Sequence, residues 1–386
     1  MKIALVHDQL QEFGGAERVL VALKKIFPEA DVYTSFYNPD SLGMHAKKFE
    51  GWKIYTSWAD KVPFLKKLYS PLRFITPYIW ESFNFNNYDL VISSAGSYMC
   101  KGVITLPKTK HICYLHHPPR YLYGYETAIE WQRYWPIRVY ANIINKPLRK
   151  WDYLSSQRVD HFIANSEETK KRIQKFYRRD AKVIYPPVTI PDEFKLVIPD
   201  SDRGSSKNLD FLFRGNDTNY YITTSRLARA KHVEVLIKAA NKEKFNLKII
   251  GTGRDEEFLK SIAGKNVEFL SNLKDEEFKE VYKNAKAFLF ASVDEEFGIA
   301  PVEAMGYGIP VIAYASGGVK ETVIDAKNGY LYDELNENSL INKIKMLNAL
   351  SKNEYLTMRN NARSSAEKYT FDIFKENIVN FTRSLK

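Results

Sequence analysis

Cysteine is scarce in this chain, and long apolar runs are absent. Cys100 and Cys113 are the two cysteines among 386 residues, which excludes a disulfide-rich scaffold and favours reduced, buried thiols in a cytoplasmic protein. No apolar run approaches the length of a transmembrane helix, so we expect any membrane contact to be peripheral. Residues Lys2 to Val6 already have the pattern of a buried strand, and we therefore expect no signal peptide.

Several motifs of common enzyme classes are missing as well. The sequence contains no closely spaced Cys or His pairs of a zinc site, no Walker-type phosphate loop and no Gly-x-Ser-x-Gly elbow. The triplet Asp200-Ser201-Asp202 has a spacing that suits Mg²⁺ or Mn²⁺ on a diphosphate. It lies in a polar segment rather than after an apolar strand. We therefore interpret it as a solvated linker and predict neither a metal site nor a cofactor.

Positive charge predominates, with a formal net charge of +11. This balance indicates an anionic partner, either nucleic acid, anionic lipid or a phosphate-bearing substrate. Residues 46–80 and 133–151 each combine Lys and Arg with many aromatic side chains. Each stretch suits a helix that lies on an anionic bilayer surface. The alternative is a pair of helices packed on their own domain with a solvated basic face.

Short apolar strands alternate with amphipathic helices in two successive arrays. The first opens with the strand Ile3 to Val6, and the alternation restarts at the strand Tyr220 to Thr224. This pattern predicts an α/β protein of two Rossmann-like, doubly wound parallel-sheet domains, which bind ligands at strand carboxyl ends and face each other across a cleft. The predicted boundaries are domains at 1–190 and 220–369, a linker at 191–219, and a C-terminal helix at 370–386 that packs back on the first domain.

One acidic, glycine-containing loop joins a buried strand to a helix in the second array. The apolar run Ala287 to Ala291 predicts the strand, and Pro301 suits the first helical position. Backbone N–H groups at a helix start can hold an anion, and the carboxylates of Glu295 and Glu303 can each accept hydrogen bonds from a vicinal diol. Diols and phosphate together suggest a nucleotide sugar. The alternative is that both glutamates favour the helix N-terminus and face water.

Two cations follow the first strand of the second array. Arg226 and Lys231 flank the start of its first helix, at the sheet edge where a diphosphate would bind. In a chain without a metal motif, two fixed cations can neutralise a leaving nucleoside diphosphate. We therefore predict that both contact the donor; the alternative is a solvated surface pair.

These motifs give the chain a resemblance to a known family. Arg226-Leu227 with Lys231, and the Glu295-x7-Glu303 spacing inside Glu-Phe-Gly-Ile-x-Pro-Val-Glu-Ala, resemble the retaining family 4 glycosyltransferases of the GT-B fold. Within that family, the bacterial GDP-mannose-dependent mannosyltransferases of O-antigen and capsule assembly look most similar. Further matching segments are Gly14-Gly15-Ala16-Glu17-Arg18, His116-His117-Pro118-Pro119-Arg120-Tyr121, Asn165-Ser166, Tyr185-Pro186-Pro187-Val188 and Ser316-Gly317-Gly318.

The resemblance implies a role for each matching residue. Glu303 would bind the ribose diol of the donor, and Glu295 would hold hydroxyls of the transferred sugar. Arg226 and Lys231 would bind the diphosphate. His116 would lie near the reacting sugar carbon and completes a catalytic set with Glu295, Arg226 and Lys231. The remaining donor-binding positions implied by the resemblance are Gly15, Phe297, Gly298, Ile299 and Ala300.

The function that the resemblance implies is a retaining, metal-independent transfer of a hexose, with mannose from GDP-mannose favoured, to a lipid-linked or cell-surface glycan. Such an enzyme would act in the cytoplasm at the inner face of the cell membrane, without a nucleic-acid partner. The alternatives are a UDP-sugar donor, a nucleotide-sugar epimerase, or a non-catalytic sugar-nucleotide binder. The chain departs from the family pattern at Thr189, His232, Glu296 and Gly306, which leaves the donor base and sugar open.

Overall fold

The computed structural model describes residues 1–127, 134–191 and 220–385, and these residues form two compact units. The first unit takes residues 1–125, 134–187 and 371–385, and the second takes 126–127, 188–191 and 220–370. The triplet Asp200-Ser201-Asp202 and most of the predicted linker lie outside the described residues.

The first unit is built on one parallel sheet of seven strands. Its elements are β1 (Ile3–His7), α1 (Gly15–Ile26), β2 (Asp31–Thr34), α2 (Pro39–Leu42), β3 (Ile54–Thr56), α3 (Leu65–Leu68), α4 (Thr76–Trp80), β4 (Leu90–Ala95), β5 (Lys110–Leu115), α5 (Arg120–Tyr123), α6 (Trp135–Gln157), β6 (His161–Ala164), α7 (Glu167–Tyr177) and β7 (Ala181–Val183). The strands are arranged in the order β3-β2-β1-β4-β5-β6-β7. The central strands are buried on both faces, which is why they appear in the sequence as nearly continuous apolar runs.

The second unit repeats this design with six parallel strands. Its elements are β8 (Tyr220–Thr224), α8 (Val233–Glu243), β9 (Asn246–Ile250), α9 (Glu256–Ile262), β10 (Val267–Leu270), α10 (Asp275–Lys283), β11 (Ala287–Phe290), α11 (Ile299–Gly306), β12 (Val311–Tyr314), α12 (Val319–Thr322), β13 (Gly329–Tyr332), α13 (Glu337–Asn348) and α14 (Lys352–Ala366). The strand order is β10-β9-β8-β11-β12-β13.

Strand order reverses once in each sheet, between β1 and β4 in the first unit and between β8 and β11 in the second. At such a point the connections leave in opposite directions, and a crevice opens at the carboxyl ends of the two strands. The predicted α/β class with two doubly wound parallel sheets is therefore confirmed. Each sheet therefore has one reversal point of the kind at which ligands bind in this architecture.

The last helix, α15 (Phe371–Arg383), belongs to the first unit. It packs against α1, and its Phe374 and Ile378 side chains are buried in the core beside β5. The ring of Phe374 lies 6.0 Å from that of Tyr114 in an edge-on arrangement. The chain therefore leaves the first unit after β7 and returns to it with α15.

The predicted surface helix over residues 46–80 is wrong. The segment contains short 3₁₀ turns, the edge strand β3 and the single-turn helices α3 and α4. Pro63 and Pro71 interrupt any continuous helix, because proline lacks the N–H that an interior helical position requires. Phe49 and Trp80 are buried in the core, so part of the aromatic content serves packing. The second stretch does contain a long helix, α6, as predicted.

Both cysteines are free thiols in the core of the first unit. Burial raises the pKa of the Cys113 thiol to about 12 and holds the pKa of Cys100 well above its ordinary value. Thiols in this state are poor nucleophiles, so we assign both cysteines to packing.

A fully buried ion pair joins the turn after β4 to α6. The Lys101 ammonium donates to Asp152 Oδ1 at 2.6 Å, to the Asp152 carbonyl at 3.0 Å and to Ser155 Oγ at 3.1 Å. Tyr123 Oη donates to Asp152 Oδ2 at 2.7 Å. Every ammonium hydrogen and both carboxylate oxygens thus have a partner, which is the condition for tolerating two charges without water.

Lys101→Met should lower the free energy of unfolding by about 3–5 kcal/mol, because it leaves the Asp152 carboxylate buried without its cation. Urea denaturation of the variant and the wild type measures the effect. The double variant Lys101→Met/Asp152→Leu removes both charges and should recover most of the loss. A single variant as stable as the wild type would contradict the assigned role of the pair.

Candidate functional site

The helix that follows the loop after β11 begins at an earlier residue than the sequence predicts. The helix begins at Ile299, so Pro301 is its third residue rather than its first. Gly298 has a φ of 85°, a left-handed conformation that glycine adopts without strain and that lets the helix start at once. Proline is accepted at the third position because first-turn N–H groups have no partner within the helix. Glu303 consequently lies in the second turn, where it is buried.

Lys231 and Glu295 form an ion pair at the point where strand order reverses. Lys231 Nζ donates to Glu295 Oε2 at 2.5 Å and to Ser292 Oγ at 3.3 Å. Ser292 Oγ in turn donates to the same carboxylate oxygen at 2.9 Å. The side chains of Lys231 and Glu295 are 24% and 20% exposed, so the pair is shielded from bulk water but reachable. The sequence predicts that Lys231 and Glu295 both contact the donor. The structure brings them together, although Lys231 follows β8 and Glu295 follows β11.

The motif Ser316-Gly317-Gly318 supports the backbone that carries Glu295. Gly318 N donates to the Glu295 carbonyl at 2.7 Å, and Asp294 N donates to Ser316 Oγ at 2.9 Å. A Cβ at Gly317 would overlap the Glu295 carbonyl oxygen, and its φ of 66° is left-handed. Glycine is therefore required here by both close approach and conformation.

A second pair of glycines holds the loop that carries Arg226. Side chains at Gly251 and Gly253 would overlap the carbonyl oxygens of Ser225 and Leu227. Leu227 N donates to the Thr252 carbonyl at 2.9 Å across this contact. The loop after β8 is thus fixed against the loop after β9, and the Arg226 side chain is exposed at the carboxyl end of β8.

His232 occupies a left-handed backbone position, with a φ of 46°. The left-handed conformation explains why glycine is common at this position in the family pattern that the sequence resembles, because glycine adopts it without strain. Its Nδ1 lies 3.0 Å from Glu234 Oε1, and its Nε2 lies 3.0 Å from Glu126 Oε2. The hydrogen bond with Glu234 raises the pKa of His232, burial opposes the rise, and Glu126 adds to it.

The other predicted donor residues lie around the start of α11. The Phe297 ring is buried and sits 5.2 Å from the Tyr369 ring, centroid to centroid. Any contact of Phe297 with a donor must therefore come from its backbone, while the ring anchors the loop. Gly298, Ile299 and Ala300 form the N-cap and the first two positions of the helix.

Two predicted residues belong to the first unit. Gly15 is the first residue of α1, which follows β1, and His116 comes directly after β5. His116 is buried, and its Nε2 lies 2.8 Å from Ser94 Oγ. Both residues follow the carboxyl ends of their strands, as predicted from the alternating pattern.

The sequence patterns do not single out Ser292, Ser94 or His7. Ser292 follows β11 and contacts both members of the ion pair. His7 and Ser94 are partners in the register of β1 and β4, near the carboxyl ends of the two strands at the reversal. The signal that could have found them is position: a polar residue near the carboxyl end of a strand at the predicted reversal point.

Comparison with known proteins matches two family models. The model described as glycosyl transferases group 1 matches residues 206–365, and the model described as Glycosyltransferase Family 4 matches residues 13–190. The two models together account for most of the chain.

Individual relatives extend this result. The GtfA subunit of the UDP-N-acetylglucosamine–peptide N-acetylglucosaminyltransferase of Streptococcus pneumoniae is 27% identical over 77% of this chain. The match covers 55% of that relative, so the chain spans about half its length. The alpha-1,3/1,6-mannosyltransferase ALG2 of Dictyostelium discoideum is 23% identical, and the match covers 100% of this chain and 98% of that relative. The crystal structure of HepE from Anabaena in complex with UDP has a TM-score of 0.70 and 19% identity over 100% of both chains, which shows a shared fold.

The raised pKa of His232 predicts a pH-dependent stability. The pKa of His232 in the folded protein lies above its ordinary value of 6.5. The charged ring therefore contributes its full stabilisation at pH values below 6.5, and this stabilisation is lost as the pH rises through the folded-state pKa. His232→Asn keeps a side chain that tolerates the left-handed conformation but removes the charge. The variant should lose roughly 0.5–1 kcal/mol near pH 6 and less near pH 8.5. Thermal unfolding at both pH values, with Glu126→Gln for comparison, measures this; an equal deficit at both would contradict it.

Proposed function

The chain belongs to the family 4 glycosyltransferases of the GT-B fold, and we propose that it is a retaining, metal-independent hexosyltransferase that prefers GDP-mannose. Its acceptor in this proposal is a lipid-linked or cell-surface glycan. Membership of the family sets aside the nucleotide-sugar epimerase and the non-catalytic binder. The mannosyltransferase relative from Dictyostelium discoideum, matched over 98% of its length, supports mannose as the transferred sugar. The streptococcal relative and the UDP complex of the Anabaena protein keep a UDP-sugar donor as the second candidate.

The observation that carries the proposal is the Lys231–Glu295–Ser292 cluster at the β8–β11 crevice. The Lys231 ammonium has three hydrogens, so it can hold Glu295 and a phosphate oxygen together. Arg226 supplies a second cation from the loop after β8. The two cations neutralise the charge that develops on the leaving diphosphate, while Glu295, oriented by Lys231 and Ser292, accepts hydrogen bonds from hydroxyls of the sugar.

The start of α11 provides the remaining donor contacts in this proposal. Backbone N–H groups at Gly298, Ile299 and Ala300 face an anion with the positive end of the helix dipole. Glu303, buried in the second turn, accepts from the ribose diol. Burial raises the pKa of the neighbouring Tyr307, and the charge of the Glu303 carboxylate raises it further. Tyr307 therefore stays a neutral phenol beside Glu303.

Retention of configuration in a single step requires that the acceptor attack the same face of the sugar from which the phosphate departs. In the proposed step the acceptor oxygen forms a bond to the anomeric carbon as the bond from that carbon to the phosphate oxygen breaks. The departing phosphate oxygen takes the acceptor proton. The developing positive charge on the sugar ring is close to the diphosphate at this moment, so fixed cations that hold the diphosphate in place also stabilise the transition state.

Lys231→Ala should reduce kcat by about 10²–10³-fold, because it removes a cation from the leaving group and releases Glu295. Transfer is measured with GDP-mannose, UDP-glucose and UDP-N-acetylglucosamine in parallel, which also ranks the donors. Lys248→Ala is the matched control, since Lys248 lies on β9, is also 24% exposed and pairs with Glu268 at 3.6 Å. An unchanged rate of transfer in Lys231→Ala would overturn the role assigned to Lys231. If the wild type turns over a UDP-sugar faster than GDP-mannose, the UDP-sugar becomes the proposed donor.

We also propose that the first unit binds an anionic membrane surface at the inner face of the cell membrane. None of the helices in the described ranges combines the length and apolar character that crossing a bilayer requires. One face of α6, however, carries Trp135, Val139 and Ile143 at intervals of four residues, 73%, 51% and 67% exposed. Lys146 and Lys150 continue the same face and are also exposed. Large apolar side chains beside lysines suit insertion at lipid headgroups.

The segment before β4 adds to this surface. Tyr140 Oη on α6 donates to the Pro71 carbonyl, so the helix and the segment are adjacent. Phe64 and Tyr78 are among the most exposed aromatic side chains of the unit, and Lys67 is exposed between them. The aromatic residues of 46–80 therefore divide into a buried set and an outward set, and the outward set supports the membrane contact.

Trp135→Ser combined with Ile143→Ser should lower binding to vesicles that contain phosphatidylglycerol by about tenfold or more, because each side chain contributes buried apolar area. Sedimentation with phosphatidylcholine vesicles, with and without phosphatidylglycerol, measures it. The control is Phe258→Ser, which removes a 47% exposed ring on α9 of the other unit and should leave binding unchanged. Equal sedimentation of the double variant and the wild type would contradict the membrane proposal.

A further inference from the structure

Arg73 carries a positive charge that no acidic group in the described part of the chain pairs with. It begins a 3₁₀ turn (Arg73–Ile75) before α4 and is half-buried. Its guanidinium carbon lies 4.3 Å from the centroid of the Tyr121 ring, over the ring face. Among the described residues, no hydrogen bond or ion pair accompanies this stacking contact. A guanidinium has five N–H donors and is always charged, so all five lack an acceptor in the protein.

Buried polar atoms without partners are concentrated near this stack. Seven buried side-chain nitrogen or oxygen atoms of the described residues have no hydrogen-bond partner. Four of the seven are the hydroxyls of Thr76, Tyr98 and Tyr121 and the Oδ1 atom of Asn145. Buried polar groups in folded proteins are nearly always hydrogen-bonded. A local group of four such atoms beside a cation therefore indicates a site that a ligand completes.

Contacts within the first unit place these side chains together. Arg73 and Thr76 are three residues apart, where the 3₁₀ turn joins α4. Asn145 Nδ2 on α6 donates to the Tyr121 carbonyl at 3.3 Å, which leaves Asn145 Oδ1 as an acceptor. Burial raises the pKa of Tyr121, Arg73 opposes the rise and Tyr98 adds to it. Burial also raises the pKa of Tyr98 and Thr76 opposes that rise, although the contact between the two hydroxyls falls outside hydrogen-bond geometry.

The carboxylates in this neighbourhood already have partners. Asp8 and Asp152 also act on the pKa of Tyr121. Asp8, however, accepts from three backbone N–H groups, and Asp152 belongs to the buried ion pair described above. A partner for Arg73 must therefore be water or a ligand, and the enclosed hydroxyls beside it favour a ligand. Because the guanidinium can only donate, that ligand presents several acceptor oxygens and negative charge, which is the chemistry of phosphate.

The position of Arg73 indicates where that phosphate comes from. Phe74 beside it is exposed, and Tyr140 on α6 donates to the Pro71 carbonyl. Arg73 thus lies within the surface proposed above to contact the membrane, where phosphates belong to lipids. Asn145 Oδ1 needs a donor, so the ligand also carries a hydroxyl group near its phosphate. A sugar that is joined to a lipid through phosphate has both groups.

We propose that this group of side chains binds the phosphate of a lipid-linked glycan acceptor. Arg73 and the three enclosed hydroxyls form the phosphate site, and Asn145 accepts from a hydroxyl of the first sugar. The identity of the acceptor rests on the proposed function, whereas phosphate binding is a property of the first unit alone. Since Arg73 is the half-buried member of the set, the ligand meets it first, and the guanidinium moves off the Tyr121 ring to admit the phosphate. The single-turn helices and 3₁₀ turns around Arg73 suit such a local opening.

Calorimetric titration of the full chain with mannosyl octyl phosphate, in which phosphate joins a hexose to a short alkyl chain, tests the site. This probe should bind about tenfold or more tightly than octyl mannoside, which lacks the phosphate, and than inorganic phosphate. Arg73→Gln should weaken its binding by about tenfold or more, because the charge-assisted hydrogen bonds are lost. The matched control is Lys175→Gln, since the Lys175 ammonium also lies over a ring, 5.2 Å from that of Phe176. It should leave binding unchanged.

Equal binding of mannosyl octyl phosphate and octyl mannoside, or unchanged binding by Arg73→Gln, would overturn the phosphate site. Binding of inorganic phosphate as tightly as the probe would reveal a site for free phosphate and overturn the lipid-linked occupant. Binding of dihexanoyl phosphatidylglycerol as tightly as the probe would reveal a site for ordinary lipid headgroups and overturn the assignment to a glycan acceptor.

The enclosed hydroxyls give a second test, in which stability and binding change independently. Tyr98→Phe and Tyr121→Phe each remove one hydroxyl and keep the ring. Because neither hydroxyl has a partner in the ligand-free chain, the Tm of each variant should equal or exceed that of the wild type. The affinity for mannosyl octyl phosphate should nevertheless fall by about threefold or more. A lower Tm with unchanged affinity would assign the hydroxyls to folding and overturn the proposal.

Transfer assays separate this proposal from the proposed function. Arg73→Gln should raise the KM for a phosphate-linked acceptor by about tenfold and leave the KM for the donor unchanged, because the acceptor phosphate is held equally before and during transfer. An unchanged KM for the acceptor would overturn the acceptor assignment. A wild type that binds the probe but transfers no sugar would remove the proposed function and leave the phosphate site intact.

Discussion

The parallel pairing of β8 with β11 is the constraint on which the candidate site depends. These strands are separated by more than sixty residues and by two intervening strands, yet they are neighbours in the sheet. The chain after β8 and the chain after β11 therefore leave the sheet side by side, and Lys231 can reach Glu295 without a long loop. The same relation between β1 and β4 places His7 beside Ser94 in the first unit. Strand order, rather than any single motif, is what converts distant residues into neighbours here.

The two units fix their loops by different physical means. In the second unit, glycines at 251, 253, 317 and 318 let one backbone approach another closely enough for direct N–H to carbonyl bonds. In the first unit a carboxylate holds the loop instead, because Asp8 accepts from the backbone N–H groups of Gly96, Tyr98 and Cys100 at 2.8–2.9 Å. Backbone-to-backbone contact gives rigidity without charge, while a buried carboxylate gives rigidity together with an electrostatic polarity.

Much of this architecture could be predicted from the sequence, and the failures have physical causes. Strand β8 matches its predicted bounds, and β1 and β11 agree with theirs to within one residue, because each is a mainly apolar segment that a loop follows. The edge strands β3 and β13 were missed: β3 has three residues inside the stretch predicted as a helix, and β13 is a four-residue Gly-Tyr-Leu-Tyr segment too short to show a period. The prediction for residues 46–80 failed because aromatic content is compatible with both burial and exposure. Lys231 and Glu295 could be found from motif spacing, whereas Ser292 and Ser94 could not, because serine carries no periodic signal and its role depends on strand register.

The return of α15 to the first unit has a consequence for biosynthesis. The described core of the second unit is contiguous in the chain, whereas the first unit receives its last helix only after the whole of the second has been made. On the ribosome, the second unit can therefore complete its core first, although it is encoded later. Until α15 arrives, the Tyr114 ring lacks Phe374 on one side, and the ring centroid of His116 lies 5.3 Å from that of Tyr114. The surroundings of His116 are thus completed last, so a nascent chain contains a complete second unit before this histidine is fully enclosed.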